Sequence, residues 1–267
     1  MPRGHASRRA CGTRAAWLRT AGCNALLTRL RTATLARPTP VEIVTAGAIG
    51  DAGYGTYVRR PVGDSTLIVF TIENRCDAYN PGPDQCPPGR KHGHIVGATL
   101  FRVGGRGPCA GIPRACSRVA KADGELSALA VDAGRIAVRT EHGLSVLTAG
   151  GDVLREFGLT ARQTALSGSR LAVLTAAALE VYDTDSGRLA ARFPATRGLR
   201  LEDLQGDILV TASGRTVTLR RLGDGRTRTI LAGGIAHAQL EPPGLFVSGA
   251  HRVTFTPMRD VLRGFDG

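Results

Sequence analysis

Short apolar runs, separated by glycine or aspartate turns, occupy the chain from Leu126 to its C-terminus. In the first stretch the runs cover residues 126–131, 135–140, 144–147 and 153–157. Runs of about four to six residues that break at turn residues predict consecutive antiparallel strands. Four such strands make one unit of the pattern.

The unit recurs along the chain. Aligning Val138, Val173, Val210 and Val247 gives steps of 35, 37 and 37 residues, a period that predicts a repeat architecture. Helical repeats need helices of about ten residues or more, and the glycine-broken runs are too short for them. We therefore predict an all-β, β-propeller-like fold with about five four-stranded antiparallel blades. Either the ring closes at five blades, or N-terminal blades are missing.

Two common blade signatures are absent. The chain lacks the Gly-His and Trp-Asp pairs of WD40 repeats, and its one tryptophan, Trp17, lies outside the units, which removes the docking tryptophan of quinoprotein blades. Residues 60–267 nevertheless resemble uncharacterised secreted or membrane-tethered β-propeller-like proteins of actinobacteria, with WD40-like or quinoprotein-like repeats. The stretches that carry the resemblance are RLAVL at 170–174, LEVYDTDSGR at 179–188, RLEDL at 200–204 and HAQLEPPGLF at 237–246. The resemblance implies a propeller and export, and no known activity.

The first 40 residues differ from the rest in charge. They hold eight arginines and no Asp, Glu or Lys, so eight of the 13 net positive charges lie there. We predict a disordered or irregular basic leader at 1–40 and a repeat domain at 41–267. The alternative is a basic arm that binds nucleic acid or an anionic membrane, and we expect no specific nucleic acid. The leader contains no apolar run long enough for a signal peptide core or a membrane span.

A Pro- and Gly-rich insertion at 73–117 interrupts the first candidate unit, with predicted loops at 73–97 and 104–117. The four cysteines of these loops are Cys76, Cys86, Cys109 and Cys116. We expect disulfides, most simply Cys76–Cys86 and Cys109–Cys116, each worth about 2 to 3 kcal/mol, although four cysteines permit three pairings. The alternatives are unpaired thiols or a zinc site with His92 and His94, whose cysteine spacing is too wide for structural zinc. Disulfides would indicate a protein that works outside the cytoplasm.

Candidate catalytic chemistry is sparse. The sequence has no Gly-x-Ser-x-Gly elbow, and its histidines stand without a local acid at fixed spacing. We interpret Glu202 and Asp203 as solvated turn acids. We interpret Asp183, Asp185 and Gly187 as a hairpin turn, the alternative being the start of a calcium loop. The sequence predicts no catalytic, cofactor-binding or metal-binding residue.

Positions along the predicted strands give expectations for two further sets of side chains. Four phenylalanines are expected in blade cores: Phe157, Phe193, Phe246 and Phe255. Five arginines are expected on a solvated strand face, the alternative being a surface for an acidic partner: Arg200, Arg220, Arg221, Arg226 and Arg228.

We expect a non-enzymatic binding or scaffold module that presents its loops to a protein partner, without a transmembrane segment and in an extracytoplasmic setting. The alternative is an extracellular hydrolase or lyase with a site at the central opening of the propeller. A cluster of His, Asp and Glu at that opening would favour the enzyme, and a lining of Val, Ala and Thr would favour the scaffold. A third hypothesis is a fragment with no function of its own.

Overall fold

The computed structural model describes residues 8–11, 14–21, 27–34, 41–47, 54–59, 61–64, 66–76, 93–109, 112–232, 234–249 and 253–266, with the backbone alone for those up to 47 and for 54–56, 58, 104–109 and 112–115. Within them the chain forms 24 strands and one short helix. The all-β prediction is confirmed. The chain divides into two compact units, residues 1–156 and 157–267, which are described separately below.

Unit 1 contains three antiparallel sheets. Sheet 1 consists of β1 (Arg8–Cys11), β2 (Arg14–Ala21), β3 (Leu27–Thr34) and β4 (Val41–Gly47). Sheet 2 consists of β5 (Tyr54–Val58), β6 (Val62–Gly63), β7 (Ile68–Cys76), β8 (Ile95–Cys109) and β9 (Ile112–Ala122). Sheet 3 consists of β10 (Leu126–Asp132), β11 (Arg135–Thr140), β12 (Gly143–Thr148) and β13 (Val153–Phe157).

Sheet 1 changes the interpretation of the N-terminal segment. Three of its strands lie within residues 1–40, where the sequence predicts an irregular leader, and β3 pairs with β4 across the expected boundary at residue 40. The physical reason is visible in β3, where Arg29 and Arg31 alternate with threonine and leucine. Alternation with a period of two is typical of a strand, whereas the high arginine content suggested a disordered leader.

The insertion is also more ordered in backbone than predicted. The expected loop at 104–117 is a strand pair, because β8 continues to Cys109 and β9 begins at Ile112. Glu73, expected at the start of a loop, lies inside β7. Residues 77–92 of the other predicted loop lie outside the described part of the chain.

Unit 2 repeats the plan of sheet 3. Sheet 4 consists of β14 (Gln163–Ser167), β15 (Arg170–Leu174), β16 (Ala178–Asp183) and β17 (Leu189–Pro194). Sheet 5 consists of β18 (Arg200–Gln205), β19 (Ile208–Ser213), β20 (Thr216–Arg221) and β21 (Thr227–Leu231). Sheet 6 consists of β22 (His237–Glu241), β23 (Gly244–Ser248) and β24 (Val253–Pro257), followed by α1 (Met258–Arg263). Sheets 3 to 5 each have a fourth strand, whereas in sheet 6 the helix α1 follows the third strand within the described residues.

The strand register shifts the sequence alignment of the repeat that forms sheet 5 by one residue. A two-residue turn joins the first and second strands of sheets 3 to 6, so that Arg135, Arg170, Ile208 and Gly244 occupy the same position. Counting from these residues, Thr211 and not Val210 matches the valines of the other units. The hydrophobic pattern concealed this shift, because Leu209 and Val210 are both buried.

Apolar clusters join successive sheets of unit 2. Ala172 and Val181 of sheet 4 pack with Leu204 and Leu209 of sheet 5. On its other face, sheet 5 packs through residues that include Val210 against sheet 6 and α1. Each fully buried leucine in these clusters stabilises the fold by about 1.5 to 3 kcal/mol. Sheet 5 therefore uses one face toward sheet 4 and the other toward sheet 6.

Three of the predicted surface arginines hold the C-terminal helix region. Arg226 Nη1 donates to the carbonyl of Phe265 at 2.9 Å, and Arg228 Nη1 donates to the carbonyl of Asp260 at 2.7 Å. Arg221 lies over the ring of Phe265, 5.3 Å from its centroid. The interpretation as a merely solvated face is wrong for these residues, because the carbonyl ends of a helix attract cations.

The phenylalanines divide into two groups. Phe157 is buried, as expected, and Phe193 is partly buried beneath the guanidinium of Arg220. Phe246 and Phe255 are 37 % and 49 % exposed, so their assignment to a blade core is wrong. They lie on the face of sheet 6 that points away from sheet 5.

Candidate functional site

The first strands of successive sheets in unit 2 lie side by side, in the order β14, β18 and β22. Polar side chains of β14 accept hydrogen bonds from the backbone of the next sheet. Gln163 Oε1 accepts from the amide of Leu201, and Ser167 Oγ accepts from the amide of Gly206, each at 2.8 Å. These side chains therefore join sheet 4 to sheet 5.

Glu202 and Asp203 of β18 likewise accept hydrogen bonds from backbone amides of sheet 6. Asp203 Oδ2 accepts from the amide of Leu240 at 2.8 Å, and Glu202 Oε2 accepts from the amide of Ala238 at 3.3 Å. The side chain of Glu202 is only 10 % exposed. The interpretation of both residues as solvated turn acids is wrong. We refer to Gln163, Ser167, Glu202 and Asp203 as the inner-strand clasp.

The clasp brings a histidine and an acid together. His237 Nδ1 lies 3.3 Å from Glu202 Oε2, while Arg200 Nε donates to Glu202 Oε1 at 2.8 Å. Arg200 also donates to the carbonyl of Ala236. Sequence reasoning missed this group, because 35 residues separate Glu202 from His237 and neither recurs in the other units. The signal that could have found it is the repeat itself, which places β18 beside β22.

A second buried carboxylate lies in unit 1. Glu73 has a fully buried side chain and accepts hydrogen bonds from Arg59 Nε at 2.6 Å, Arg75 Nη2 at 2.6 Å and Ser127 Oγ at 2.8 Å. Burial would raise the pKa of Glu73, but the hydrogen bonds from the two arginines and the serine outweigh it and hold the pKa below its usual value. Because Ser127 lies in β10, this group also links sheet 2 to sheet 3.

Asp64 and Thr71 strengthen the same link. Asp64 Oδ2 accepts from the amide of Ala133 at 2.9 Å, and Thr71 Oγ1 accepts from the amide of Ala128 at 3.2 Å. Burial would raise the pKa of Asp64, but hydrogen bonds from the amide of Leu67 and from Thr66 lower it overall. Polar side chains therefore connect neighbouring sheets in both units.

The loops of unit 2 lie at two opposite ends of its sheets, and the loops at the two ends differ in charge. In an antiparallel four-stranded sheet, the turn between strands two and three lies at the same end as the connection to the next sheet. That end contains residues 158–162, 175–177, 195–199, 214–215 and 232–236, none of which is Asp or Glu. It carries three exposed arginines, Arg162, Arg197 and Arg215. We refer to these five segments as the basic loop end.

The opposite end holds the aspartates. Asp183 Oδ1 accepts from the amide and hydroxyl of Ser186 at 2.7 Å, and Gly187 turns the chain with φ of +74°. The hairpin interpretation of this segment is therefore correct. Asp185, Asp207 and Asp224 lie in the turns of this end, and Arg221 Nη2 donates to Asp224 at 2.6 Å.

The cysteine predictions fall partly outside the described residues. Cys76 and Cys116 have buried side chains. Cys86 and His92 lie outside the described residues, and so does the side chain of Cys109. The pairing therefore stays a prediction. His94 contributes its backbone carbonyl, which accepts from the amide of Cys76 at 2.9 Å.

Comparison with known proteins identifies the fold and no family. No protein-family model matches the chain, and no curated protein sequence is similar to it. Among solved structures, apo AztD from Citrobacter koseri aligns with a TM-score of 0.53 at 13 % identity, covering 97 % of this chain and 71 % of that one. A chain of the mitotic checkpoint complex aligns with a TM-score of 0.51 at 10 % identity, covering 91 % and 73 %.

A third solved structure, oligopeptidase B from Leishmania major, aligns with a TM-score of 0.50 at 9 % identity. The alignment covers 91 % of this chain but only 38 % of the oligopeptidase. Likeness at these identities concerns the fold, and it confirms a propeller-type succession of antiparallel sheets. In the part of the chain that the structure describes, no helix is long and apolar enough to cross a membrane.

Proposed function

We propose that this chain is a non-enzymatic binding module that presents the basic loop end of unit 2 to an acidic protein surface. The observation that carries the proposal is the charge of this end. Each of Arg162, Arg197 and Arg215 lies exposed on a different segment, and none of the five segments contains a carboxylate. Positive potential on one end attracts acidic partners and orients them during encounter.

Exposed apolar side chains accompany these arginines. Leu231, the last residue of β21, and Ile235, within the connection between sheets 5 and 6, are 76 % and 68 % exposed. Protein interfaces combine a few apolar or arginine anchors with a polar rim, and this end offers both kinds of residue. A small anion would gain nothing from contact with the two aliphatic side chains, so they favour a protein partner.

The inner-strand clasp supports a scaffold more than a hydrolase or lyase. The carboxylates of Glu202 and Asp203 are occupied by backbone amides of the next sheet and by Arg200. Catalytic acids must exchange protons with a substrate, whereas these oxygens hold β22 in register. Fixed strands leave the loops free to vary in sequence and to bind partners.

The cysteines support an extracytoplasmic setting of the kind implied by the actinobacterial proteins that the sequence resembles. Cys76 lies beside His94, and Cys116 pairs with Val103, which is nine residues, or about 30 Å, farther along the chain in β8. A disulfide needs Cα atoms within about 7 Å, so these two cysteines do not bond to each other. Cys109, at the far end of β8, lies on the side of Cys116. The proposed pairs are Cys76–Cys86 and Cys109–Cys116.

Binding is tested by fluorescence anisotropy with a labelled, glutamate-rich peptide as the probe. Three proteins are compared: wild type, the combined Arg162→Glu, Arg197→Glu and Arg215→Glu variant, and a matched control that reverses three charges at the opposite end, Arg170→Glu, Arg188→Glu and Arg259→Glu. Wild type and the control should bind with similar Kd. The triple variant should bind at least about 100-fold more weakly, because each reversal replaces attraction by repulsion. Salt at about 0.5 M should weaken wild-type binding.

Equal binding by all three proteins would contradict the proposal, as would equal loss in the control and the triple variant. The hydrolase or lyase alternative makes a different prediction. It requires an activity on ester, peptide or glycan substrates that His237→Ala abolishes while peptide binding is retained.

A further inference from the structure

Each segment of the basic loop end contacts the next one along the chain. Beside sheet 4, the amide of Arg162 donates to the carbonyl of Leu174 at 2.7 Å, directly before the turn 175–177. On the other side of that turn, the amide of Ala195 donates to the carbonyl of Ala177 at 3.1 Å. The first three segments therefore form one continuous surface.

The same surface continues across sheet 5. A side-chain carbon at Gly198 would lie 3.9 Å from Ser213 Oγ, so the third segment adjoins the turn between β19 and β20. The amide of Ala236 donates to the carbonyl of Gly214 at 2.9 Å, which joins that turn to the fifth segment. The three arginines of the basic loop end therefore follow one another along the surface in the order of the sequence.

The exposed apolar side chains lie at one end of this row of arginines. Leu231 pairs across the strands with the residue that follows Arg215. Arg215 Nε donates to the carbonyl of Ala232 at 3.3 Å, which holds the guanidinium group beside the fifth segment. Ile235 directly precedes the amide that binds the turn between β19 and β20. Both apolar side chains therefore adjoin Arg215, and Arg162 lies at the opposite end of the row.

We infer that the partner presents a linear segment in which a block of acidic side chains has apolar side chains at one of its ends. The inference rests on the proposed function and names the class of partner that the basic loop end recognises. The carboxylates of the segment pair with Arg162, Arg197 and Arg215, and its apolar side chains pack against Leu231 and Ile235.

The order of the two kinds of side chain follows from the order of the surface. An apolar side chain inside the acidic block would lie against the arginines, where it removes water from charged groups without pairing them. At the end of the block that lies on the fifth segment, the same side chain buries apolar surface against two aliphatic side chains. Composition alone therefore does not determine affinity, and position within the segment does.

The test is fluorescence anisotropy with labelled peptides of equal length. The first peptide is a glutamate block with two leucines at one end, made in two forms with the leucines at the N-terminal or the C-terminal end. The second has the leucines in the middle of the block, and the third has serines in place of the terminal leucines. One form of the first peptide should bind the wild-type chain about tenfold more tightly than the second and third peptides.

A double variant locates this preference on the protein. Leu231→Ser combined with Ile235→Ser should abolish the tenfold preference and leave the affinity for the serine peptide unchanged. The matched control is Leu189→Ser combined with Leu262→Ser, which changes two leucines that are 48 % and 42 % exposed on β17 and α1. The control should keep the full preference.

Equal affinity of the wild-type chain for all the peptides would overturn the inference. So would a preference that survives in the Leu231 and Ile235 variant, or one that the control loses to the same extent. In each of these cases, weaker binding of the serine peptide to the triple arginine variant still supports the proposed function. Absence of binding by every peptide, or binding that is independent of the arginines, would refute the proposed function and this inference together.

Discussion

At the scale of single residues, Glu73 illustrates how a buried charge becomes compatible with the fold. Its carboxylate is out of contact with solvent, yet two guanidinium groups and the hydroxyl of Ser127 satisfy it. Removing one member of such a group leaves the others uncompensated, which costs more than the group contributed when intact. The arginines remain partly exposed, which lessens that cost.

Glu73→Gln should reduce the free energy of unfolding by about 2 to 3 kcal/mol, because Arg59 and Arg75 lose their shared countercharge. Urea denaturation followed by circular dichroism measures the change. Glu125→Gln is the control, since Glu125 forms only a long, partly exposed ion pair with Arg139 at 3.7 Å, and it should cost less than about 0.5 kcal/mol. Equal losses in both variants would contradict the account.

The carboxylate of Glu73 should also affect how the free energy of unfolding depends on pH. The pKa of Glu73 is lowered in the folded state, so its stabilising contribution is complete above the unfolded pKa of about 4.5 and is lost as the pH falls through the folded pKa. Wild type should therefore lose stability below about pH 4.5 more steeply than Glu73→Gln. Urea midpoints between pH 6 and pH 3 provide the comparison, and parallel curves would refute the assignment.

At the scale of elements, the inner-strand clasp joins strands that the sequence separates by 35 to 40 residues. Asp203 accepts two backbone amides, those of Leu204 and Leu240. Asp203→Ala should destabilise unit 2 by about 1 to 3 kcal/mol, because two buried amides lose their acceptor. Asp185→Ala, in an exposed turn, should change stability by less than about 0.5 kcal/mol in the same thermal melt. A larger loss of stability in Asp185→Ala than in Asp203→Ala would show that the clasp does not hold β22.

The C-terminal helix depends on β21 in a similar way. Arg228→Ala removes the donor to the carbonyls of Asp260 and Val261, so the amides of α1 should exchange with deuterium about tenfold faster. Arg197→Ala, on the basic loop end, should leave that exchange unchanged. Hydrogen exchange followed by mass spectrometry of the C-terminal peptide distinguishes the two, and unchanged exchange in Arg228→Ala would contradict this role.

The sequence predicts features that depend on local pattern, and it does not predict features that depend on contacts between distant residues. Apolar runs and glycine turns predicted most strands of sheets 3 to 6, because alternation and turn chemistry are local signals. The roles of Glu202, Asp203 and His237 depend on the neighbouring sheet, which no local window contains. Strands β1 to β3 were missed because eight arginines suggested a leader. Phe246 was assigned to a core because the pattern does not show which sheet lacks a neighbour.

At the scale of the whole molecule, sheets of similar plan follow one another and differ in their loops. The insertion at 73–117 departs from this plan. If it is held by Cys76–Cys86 and Cys109–Cys116, peptide mapping without reduction should recover these two pairs, and reduction should lower the melting temperature. Any peptide linking Cys76 to Cys109 or Cys116 would contradict the strand register of sheet 2.

The location of the binding surface is the central claim, and photo-cross-linking tests it most directly. The glutamate-rich peptide carries a diazirine, and the cross-linked residues are read by mass spectrometry. The account predicts cross-links within 158–162, 175–177, 195–199, 214–215 and 232–236, and their loss in the triple arginine variant. Cross-links concentrated at the aspartate turns around residues 183–188 and 221–226 would contradict it.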